Sequence, residues 1–509
     1  MESVATIRQR GQDDDRVHNA LRWEPVMIGK DSRILVIGAG PGGIISAYQF
    51  REAGYTNVKV LEQDGDVGGT WQRSRYPGLG CDIMVHAYSF SFNLNPSWPR
   101  SYASQPEILD YMRATVDKLD LWPMIHLNTG VTGATWHDDA AEWLVTTTSG
   151  ETLIADVVIS AQGMFGEVKW PDIRGRETFA GDFVHTGAWP HDLDVSKKRV
   201  AVIGSAASAV QSIPEIAKIA SHLTSFQRSP QWVLPKEEFP IPAEQIDEFT
   251  RNPEALQGYR DAIMNYIGPN APFSNKDILG GAEWAGAVAI SVVEDSETRE
   301  GLTPHVPWGC FRPLFSNDYY PAFNRSNVEL VTAGIERITP KGIVTADGVE
   351  HEFDVIVCAT GYVVDKFAAR IPVTGRNGRS LDDEWAEGPE AYLGVTSTGF
   401  PNLFMLYGPN NNAGSLIQMA EYEVDYVLEL LDQMNAADAD WIDVRREDMD
   451  AYNAELQAAI AGVDVWHAGC GHYYESPSGK IVTQYPFSMF HYRDSVANPD
   501  LRPFELGRK

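Results

Sequence analysis

The sequence has few cysteines and no long apolar run. Its four cysteines, Cys81, Cys310, Cys358 and Cys470, are scattered over 509 residues without a CxxC or a metal-ligand spacing. This distribution predicts a reducing compartment and argues against disulfides, a zinc site and a dithiol reductase. No run of about 18 apolar residues is present, and residues 1–20 lack the apolar core of a signal peptide. We therefore expect a cytoplasmic protein without a membrane partner.

Positive charge is also scarce. The chain has 41 Lys and Arg against 70 Asp and Glu, a formal net charge of -29 at pH 7. Nucleic acids and anionic membranes bind basic surfaces, so neither is expected as a partner. The acidity is typical of a solvated, soluble surface. An anionic cofactor would have to meet local positive charge, which makes individual arginines near a nucleotide site informative.

Low-complexity segments and tandem repeats are absent as well, which argues against solenoids and disordered tails. Hydrophobic residues make up 43% of the chain and charged residues 22%, as in ordinary folded proteins. A length of 509 residues exceeds what one hydrophobic core usually supports, so two or three domains are expected.

The first strong pattern is a buried strand, a helix and a second strand. The run ILVIG at 34–38 ends in glycines, a helix-like stretch follows, and VKVLE lies at 58–62. This order predicts a β-α-β unit with parallel strands.

The glycines of this unit have the spacing of a dinucleotide site. Gly38 permits a tight turn, Gly40 lets the backbone approach a pyrophosphate, and Gly43 lets the helix pack closely on the strand. Glu62 closes the second strand and is predicted to accept hydrogen bonds from a ribose. A lone GxGxxG is weak, but here strand, helix and acidic residue all have the required spacing.

A second copy of the pattern starts at RVAVIGSAASAV, 199–210, and continues into LTSFQR at 223–228. Alanine replaces the second and third glycines, so an ordinary buried helix turn remains an alternative. Arg228 follows the second strand, where a basic residue pairs with an adenosine 2′-phosphate, which favours NADPH; a surface ion pair is the alternative. The candidate nucleotide-binding residues here are Gly204, Ser205, Ala206, Ser208, Ala209 and Arg228.

The rest of the chain completes an α/β fold with two Rossmann-like dinucleotide-binding domains. Strand-like runs between 142 and 163 predict a meander and a returning strand, and 236–306 predicts a helical insertion. We assign residues 1–163 and 388–509 to the first domain, and 164–235 and 307–387 to the second.

Two segments resemble a known family. GDVGGTWQRSRYPGLGCD at 65–82 is similar to the flavin-proximal segment of class B flavoprotein monooxygenases. FAGDFVHTGAWP at 179–190 matches the FxGxxxHxxxWP fingerprint of type I Baeyer-Villiger monooxygenases at every fixed position. The resemblance extends over nearly the whole chain, including DYYPAFNRSNVELV at 318–331 and the ATG at 359–361.

The resemblance implies FAD in the first domain and NADPH in the second. The reaction it implies runs through a flavin C4a-peroxide, which inserts one atom of O2 beside a ketone carbonyl to give an ester or lactone. Further cofactor-binding residues implied by these motifs are Gly69, Thr70, Trp71, Tyr76, Asp82, Thr360 and Gly361.

Arg312 and Asp82 align by motif with the active-site pair of the family. A fixed arginine stabilises a peroxide anion and the adduct oxygen, and Asp82 would orient it; a structural ion pair is the alternative. His185 of the fingerprint is grouped with these candidate catalytic residues. Its expected role is to couple domain position to nucleotide binding, and a linker histidine satisfied by backbone is the alternative. Phe311 replaces the lysine common in the family, which weakens the preference for NADPH over NADH.

Two other functions remain open from the sequence. One is an N- or S-oxygenating flavin monooxygenase, and the other is a catalytically silent flavin-binding module. Trp71, Tyr76 and Tyr407 are expected near flavin or substrate. A hydrophobic substrate is suggested by the insertion residues Tyr259, Met264, Tyr266, Phe273 and Trp284. A monomer or a homodimer fits the sequence equally well.

Overall fold

The computed structural model describes residues 28–509, so the expectation about a signal peptide at 1–20 lies outside the described residues. Short strands alternate with helices along this part of the chain. The strands are β1 (Ile34–Ile37), β2 (Val58–Leu61), β3 (Ile125–His126), β4 (Val131–His137), β5 (Glu142–Thr147), β6 (Thr152–Ala155), β7 (Val157–Ser160), β8 (Asp182–His185), β9 (Arg199–Ile203), β10 (His222–Phe226), β11 (Val233–Leu234), β12 (Leu314–Phe315), β13 (Val328–Val331), β14 (Ile335–Ile338), β15 (Gly342–Thr345), β16 (Glu350–Glu352), β17 (Val355–Cys358), β18 (Val373–Thr374), β19 (Leu403–Met405), β20 (Trp441–Val444) and β21 (Phe504–Gly507). The helices are α1 (Pro41–Glu52), α2 (Thr70–Arg73), α3 (Gln105–Lys118), α4 (Ala207–Ile219), α5 (Ala243–Arg251), α6 (Pro253–Ile267), α7 (Lys276–Ile290), α8 (Ser296–Leu302), α9 (Tyr319–Ala322), α10 (Leu381–Glu384), α11 (Leu416–Ala436), α12 (Arg446–Ala461) and α13 (Met489–Val496).

Two parallel sheets form the centres of two Rossmann-like units. The first has the order β19-β7-β1-β2-β3 and the second the order β13-β10-β9-β17-β8, with every neighbouring pair parallel. The central strands are continuous apolar runs because both faces of each sheet are covered. Helices pack on one face, α1 and α11 on the first sheet and α4 on the second, and antiparallel strands pack on the other, β4 to β6 and β14 to β16 respectively. Both predicted β-α-β units are therefore confirmed.

An antiparallel meander packs beside the first sheet. β4, β5 and β6 pair antiparallel, and β7 then returns to the first sheet, as the sequence predicted. β18 pairs with β4, and Phe367, Leu381 and Trp385 pack into the same core. The domain division, with 307–387 in the second domain, remains a proposal. The packing of Phe367, Leu381 and Trp385 with the first unit favours an earlier end to that segment.

The segment predicted to be a helical insertion contains helices α5 to α8. It leaves and re-enters the second unit through β11 and β12, which pair with each other in parallel. The C-terminal part returns to the first unit, where β19 pairs with β7. Among residues 28–509, no helix combines the length and apolarity that crossing a bilayer requires.

Two connecting segments join the units and hydrogen-bond to each other. The amide of Lys169 donates to the carbonyl of Gly361 at 2.9 Å, and the amide of Val363 donates to the carbonyl of Glu167 at 2.9 Å. These paired connections run along the cleft between the sheets, so they fix the relative position of the two glycine motifs.

The cysteines differ from the expectation. Cys310 and Cys470 are disulfide-bonded, with Cα atoms 6.2 Å apart, whereas Cys81 and Cys358 are free and buried. The prediction of no disulfide was wrong because the partners are separated by 160 residues, and only tertiary packing brings them together.

Candidate active site

A cavity of about 2110 Å³ lies between the two Rossmann-like units. Both glycine motifs open into it at the carboxyl ends of their strands, which is where α/β proteins bind ligands. The sequence-predicted residues that line it are Gly38, Gly40, Glu62, Gly69, Thr70, Trp71, Tyr76, Asp82, Gly204, Ser205, Ala206, Ser208, Arg228, Arg312, Thr360, Gly361 and Tyr407.

The first glycine motif has the conformation that its spacing predicts. Gly38 has φ +104°, and a Cβ there would lie 2.8 Å from the carbonyl oxygen of Ala161. Gly43 does not line the cavity, and a Cβ on it would collide with the carbonyl oxygen of Gly38. Gly43 therefore serves close packing of α1 on β1, not direct ligand contact.

Gly40 and Gly69 face each other at the start of α1. Gly69 has φ +55°, and a Cβ on it would lie 3.0 Å from the Cα of Gly40. No side chain caps the N-terminus of α1, so the amides of its first turn remain available for an anion. Two glycines and an uncapped helix N-terminus form a cradle that fits a pyrophosphate, and thus the FAD expected here.

Glu62 is buried at the end of β2. Its carboxylate accepts hydrogen bonds from the amide of Ala39 at 2.7 Å and the amide of Asp64 at 2.9 Å. A carboxylate has about four acceptor positions, so two remain for a ribose. The role of Glu62 toward a ribose stays a prediction.

The second motif is built in the same way with alanines. Gly204 has φ +127°, and α4 follows with Ala206 at its uncapped N-terminus. The hydroxyl of Ser205 donates to the carbonyl of Ser229 at 2.7 Å. Ala209 is fully buried in the core and does not line the cavity, so the close-packing position is filled by a methyl group and not by a ligand contact.

Arg228 is exposed on the cavity wall and forms no ion pair with any residue in 28–509. The structure therefore argues against the alternative that Arg228 forms a surface ion pair. Phe311 lines the same cavity and contributes apolar surface. Thr360 donates its hydroxyl hydrogen to the carbonyl of Lys169 at 2.6 Å, and Gly361 has φ +83°. A nicotinamide dinucleotide fits this wall, and the pairing of Arg228 with a 2′-phosphate stays a prediction.

Arg312 and Asp82 meet in the cavity although 230 residues separate them. A guanidinium N–H of Arg312 donates to the carboxylate of Asp82, and the two side chains are 33% and 22% exposed. The charge of Asp82 raises the pKa of Arg312 further above its usual range. A guanidinium has five N–H donors, and only one of them has an acceptor among residues 28–509. The remaining donors are free to bind an anionic oxygen.

Tyrosines surround this arginine, and one of them, Tyr473, was not singled out from the sequence. Tyr473 lies in the cavity wall, and Tyr407, which was singled out, lines it from the first unit. The Tyr407 hydroxyl donates to Asn412, whose amide donates to Gln484 at 3.1 Å. Burial raises the pKa of Tyr407, so its hydroxyl stays protonated at neutral pH. The available sequence signal for Tyr473 was the run of aromatic residues 472–474, which directly follows Gly469 and Gly471.

The backbone of Tyr407 is held by a buried acid. Its amide donates to the carboxylate of Glu423 at 2.7 Å, and Asn411 donates to the other oxygen of that carboxylate at 2.7 Å. Tyr407 has φ +56°, a conformation that costs energy for a residue with a side chain. Glu423 thus stabilises a strained turn in the cavity wall. No local sequence pattern predicts its contact with Tyr407.

His185 does not reach the cavity. It is fully buried at the end of β8, its Nδ1 accepts from the amide of Gly187 at 3.0 Å, and its ring packs edge-on against Trp170 and Tyr362. Burial lowers its pKa to about 4, so it is neutral at physiological pH. His185 lies apart from Arg312 and Asp82 and outside the cavity, which disfavours direct contact with substrate. Its role in coupling domain position to nucleotide binding stays a prediction.

Two predicted aromatic residues make specific contacts. Trp71 donates its indole N–H to the hydroxyl of Tyr88 at 3.1 Å. Tyr76 donates its hydroxyl hydrogen to Gln211 at 2.8 Å and packs into the core of the second unit. Tyr76 therefore bridges from the flavin-proximal segment to the second unit.

The insertion contributes fewer cavity residues than the sequence suggested. Tyr266 and Phe273 line the cavity. Met264 is buried in the core, Tyr259 packs against His86, and Trp284 is 71% exposed away from the cavity. Three of the five residues on which the expectation of a hydrophobic substrate rested therefore do not line the cavity, because they lie on other faces of α6 and α7.

Two nucleotide folds facing one cavity define the class of two-dinucleotide flavoproteins. A family model described as "Pyridine nucleotide-disulphide oxidoreductase" matches residues 35–252. A Baeyer-Villiger monooxygenase of Pseudomonas aeruginosa is 35% identical over 481 residues, which cover 93% of this chain and 91% of that protein. A Baeyer-Villiger monooxygenase of Streptomyces coelicolor is also 35% identical, over 94% of this chain and 93% of that protein.

Solved structures agree with these relatives. A steroid monooxygenase bound to NADP is 29% identical with a TM-score of 0.84, covering 94% of this chain and 100% of that chain. The cyclohexanone monooxygenase of Rhodococcus sp. Phi1 bound to NADP+ is 31% identical with a TM-score of 0.83, covering 94% and 99%. The chain belongs to the Baeyer-Villiger monooxygenase family.

Proposed function

We propose that this protein oxidises a hydrophobic ketone to an ester or lactone with NADPH and O2, and that Arg312 and Asp82 are its catalytic pair. The observation that carries the proposal is the Arg312–Asp82 pair within a cavity that both glycine motifs line. FAD, when bound, supplies oxygen activation with electrons from NADPH. The cytoplasm as location, and a monomer or homodimer as assembly, stay predictions.

Arg312 holds the negative charge that develops on oxygen. Its free N–H donors face the cavity, and it remains protonated at any working pH. Such preorganised donors stabilise an anionic oxygen most where water is excluded. Asp82 occupies one donor and thereby fixes the plane of the guanidinium, which leaves the others directed at the reacting oxygen.

The cavity wall supports an apolar ketone. Trp308, Phe311, Phe273 and Ile278 line it with apolar surface. Tyr407 also lines the cavity, and because its hydroxyl hydrogen is donated to Asn412, its phenol oxygen faces the site as an acceptor. An apolar wall with a few directed polar groups is typical of small-molecule sites.

The second candidate function is oxygenation of nitrogen or sulfur. That reaction does not require a cation beside an anionic oxygen, so the Arg312–Asp82 pair argues against it. The Arg312–Asp82 pair also argues against a silent flavin-binding module, and so does Arg228. A module without catalysis would not need these residues in the cavity.

The test uses the FAD-loaded enzyme with NADPH, 18O2 and a matched set of an apolar ketone, a sulfide and an amine. We expect ester or lactone with one 18O atom, formed mole for mole with NADPH oxidised. Oxygenated sulfide or amine without ester would replace the proposal with the second candidate. NADPH oxidation that yields only H2O2 with every substrate class would indicate the silent module.

A further inference from the structure

The Cys310–Cys470 bond crosses between the two dinucleotide-binding units beside the cavity. Leu314, four residues after Cys310, packs in the core of the second unit, and Trp466, four residues before Cys470, packs in the core of the first. Cα atoms of bonded cysteines usually lie about 4.4–6.8 Å apart, and here the separation is 6.2 Å. The Cα separation of the two cysteines is therefore within the range of a disulfide.

The two segments also contact each other through apolar side chains. The ring of Phe273 stacks on Trp308 with centroids 5.9 Å apart and contacts Trp466 at 5.4 Å. A Cβ on Gly309 would lie 2.8 Å from Phe273, so the backbone before Cys310 is tightly packed. This packing keeps the cysteines adjacent when the bond is open, which is what a reversible pair requires.

The cysteines differ in access. Cys470 is half-buried and lines the cavity, whereas Cys310 is fully buried behind it. A small oxidant in the cavity thus reaches the sulfur of Cys470 first, and Cys310 is placed to attack it in turn. Disulfides in reducing compartments, the kind of compartment that the sequence favours, are mostly transient or redox-sensing.

We propose that Cys310 and Cys470 are a reversible redox modification site, oxidised by hydrogen peroxide, that covalently ties the two units together. The Cys470 thiolate attacks one oxygen of H2O2, the O–O bond breaks, and a sulfenic acid forms while the departing hydroxide takes up a proton as water. The sulfur of Cys310 then attacks the sulfur of Cys470, the S–O bond breaks, and a second water leaves. Two thiols and one H2O2 give one disulfide and two waters.

The Cys310–Cys470 disulfide lies next to the proposed catalytic pair. Arg312 follows Cys310 by two residues, and Tyr473 follows Cys470 by three. The bond holds both wall segments at a fixed separation and limits movement of one unit against the other. Because enzymes of this size often depend on such movement for binding and release, the oxidised form is the slower one. Peroxide released by unproductive turnover thereby reduces further turnover.

The chemical test maps thiols in the FAD-loaded enzyme without any ketone, so it is independent of the proposed function. After treatment with H2O2, alkylation in denaturant should modify two cysteines, Cys81 and Cys358, and a peptide joining Cys310 to Cys470 should appear. After dithiothreitol, all four cysteines should be alkylated. Four free thiols after H2O2, or a bond that dithiothreitol cannot open in the native enzyme, would overturn the proposal.

The functional test compares the oxidised and reduced enzyme. We expect kcat to be at least about threefold lower in the oxidised form, and the unfolding midpoint at least about 2 °C higher because the bond closes a long loop. Cys470→Ala and Cys310→Ala should each lose both responses, and Cys470→Ser provides a second variant if alanine folds poorly. Cys358→Ala is the control: it removes a free, buried cysteine elsewhere in the second unit and should keep both responses.

If the cross-link is demonstrated but kcat is equal in the oxidised and reduced wild-type enzyme, the proposed effect of the disulfide on turnover is refuted. A response that persists in Cys470→Ala and Cys310→Ala would assign it to another oxidised group and refute the site.

Discussion

Replacement of Arg312 by alanine tests the centre of the proposed mechanism. Arg312 has one protein acceptor, Asp82, and its other donors face the cavity. Two unit charges about 4 Å apart at an effective dielectric of 20 interact by about 4 kcal/mol. Loss of one preorganised donor typically costs about 2.7–4 kcal/mol. Since the side chain is 33% exposed, we expect a loss of about 3 kcal/mol, a fall of about 100-fold or more in kcat for the ketone.

The assay separates oxygen transfer from cofactor reduction. Stopped-flow mixing of NADPH with the oxidised enzyme measures flavin reduction, and gas chromatography of the product measures oxygen transfer. The Arg312→Ala enzyme should reduce its flavin within about threefold of the wild-type rate while losing product formation. Arg312→Lys is the matched control, which keeps the charge but not the planar fork and should retain an intermediate rate.

Two results would refute this reasoning. Product formation by Arg312→Ala within about fivefold of wild type would show that the arginine is not the anion-stabilising group. An equal loss of flavin reduction and product formation would assign Arg312 to nicotinamide binding instead. Flavin content and circular dichroism of each variant guard against misfolding, which is not expected because a partly exposed ion pair contributes only about 0–1 kcal/mol to stability.

Three further predictions concern cofactor binding and pH. Gly69→Ala should lower FAD occupancy at least about tenfold, because the added Cβ narrows the cradle between Gly69 and Gly40. Gly150 also has a positive φ but lies in open space, so Gly150→Ala should keep FAD. Equal losses of FAD in the two variants would contradict the cradle. Arg228→Ala should raise KM for NADPH about 10- to 100-fold but leave KM for NADH unchanged, measured by steady-state kinetics, whereas equal rises would refute 2′-phosphate recognition. His185 has a folded pKa of about 4, below its unfolded value, so the stability it contributes is present above pH 6.5 and lost as pH falls. Urea unfolding between pH 7.5 and 5 should therefore show about 2 kcal/mol more loss in wild type than in His185→Gln, and parallel pH profiles would contradict it.

Local sequence determined the two nucleotide folds. A buried apolar strand, a glycine with positive φ and an uncapped helix N-terminus follow one another within about a dozen residues. Gly38 and Gly204 both adopt φ values that side chains disfavour, as the motif spacing required. The alanines of the second motif were also interpretable, because Ala209 fills a packing position that tolerates a methyl group.

The proposed catalytic pair could be assigned only through the resemblance to a family. Nothing local connects Asp82 with Arg312, since their contact depends on the relative placement of the two units. The same holds for Tyr473 and Glu423, whose roles come from side chains that meet across the cavity wall. Patterns of period 2 or 3.6 report which face of an element is buried, not which distant element covers it.

Tertiary structure alone decided the remaining features. It placed His185 behind Tyr362 and outside the cavity, and it turned Trp284 toward solvent. It also joined Cys310 to Cys470, against the expectation from their scattered spacing. The sequence by itself therefore determined the strands, the phosphate-binding turns and the class of protein, because these depend on neighbouring residues. Packing between distant segments decided the cavity wall and the cross-link, because their energies exist only once the chain is folded.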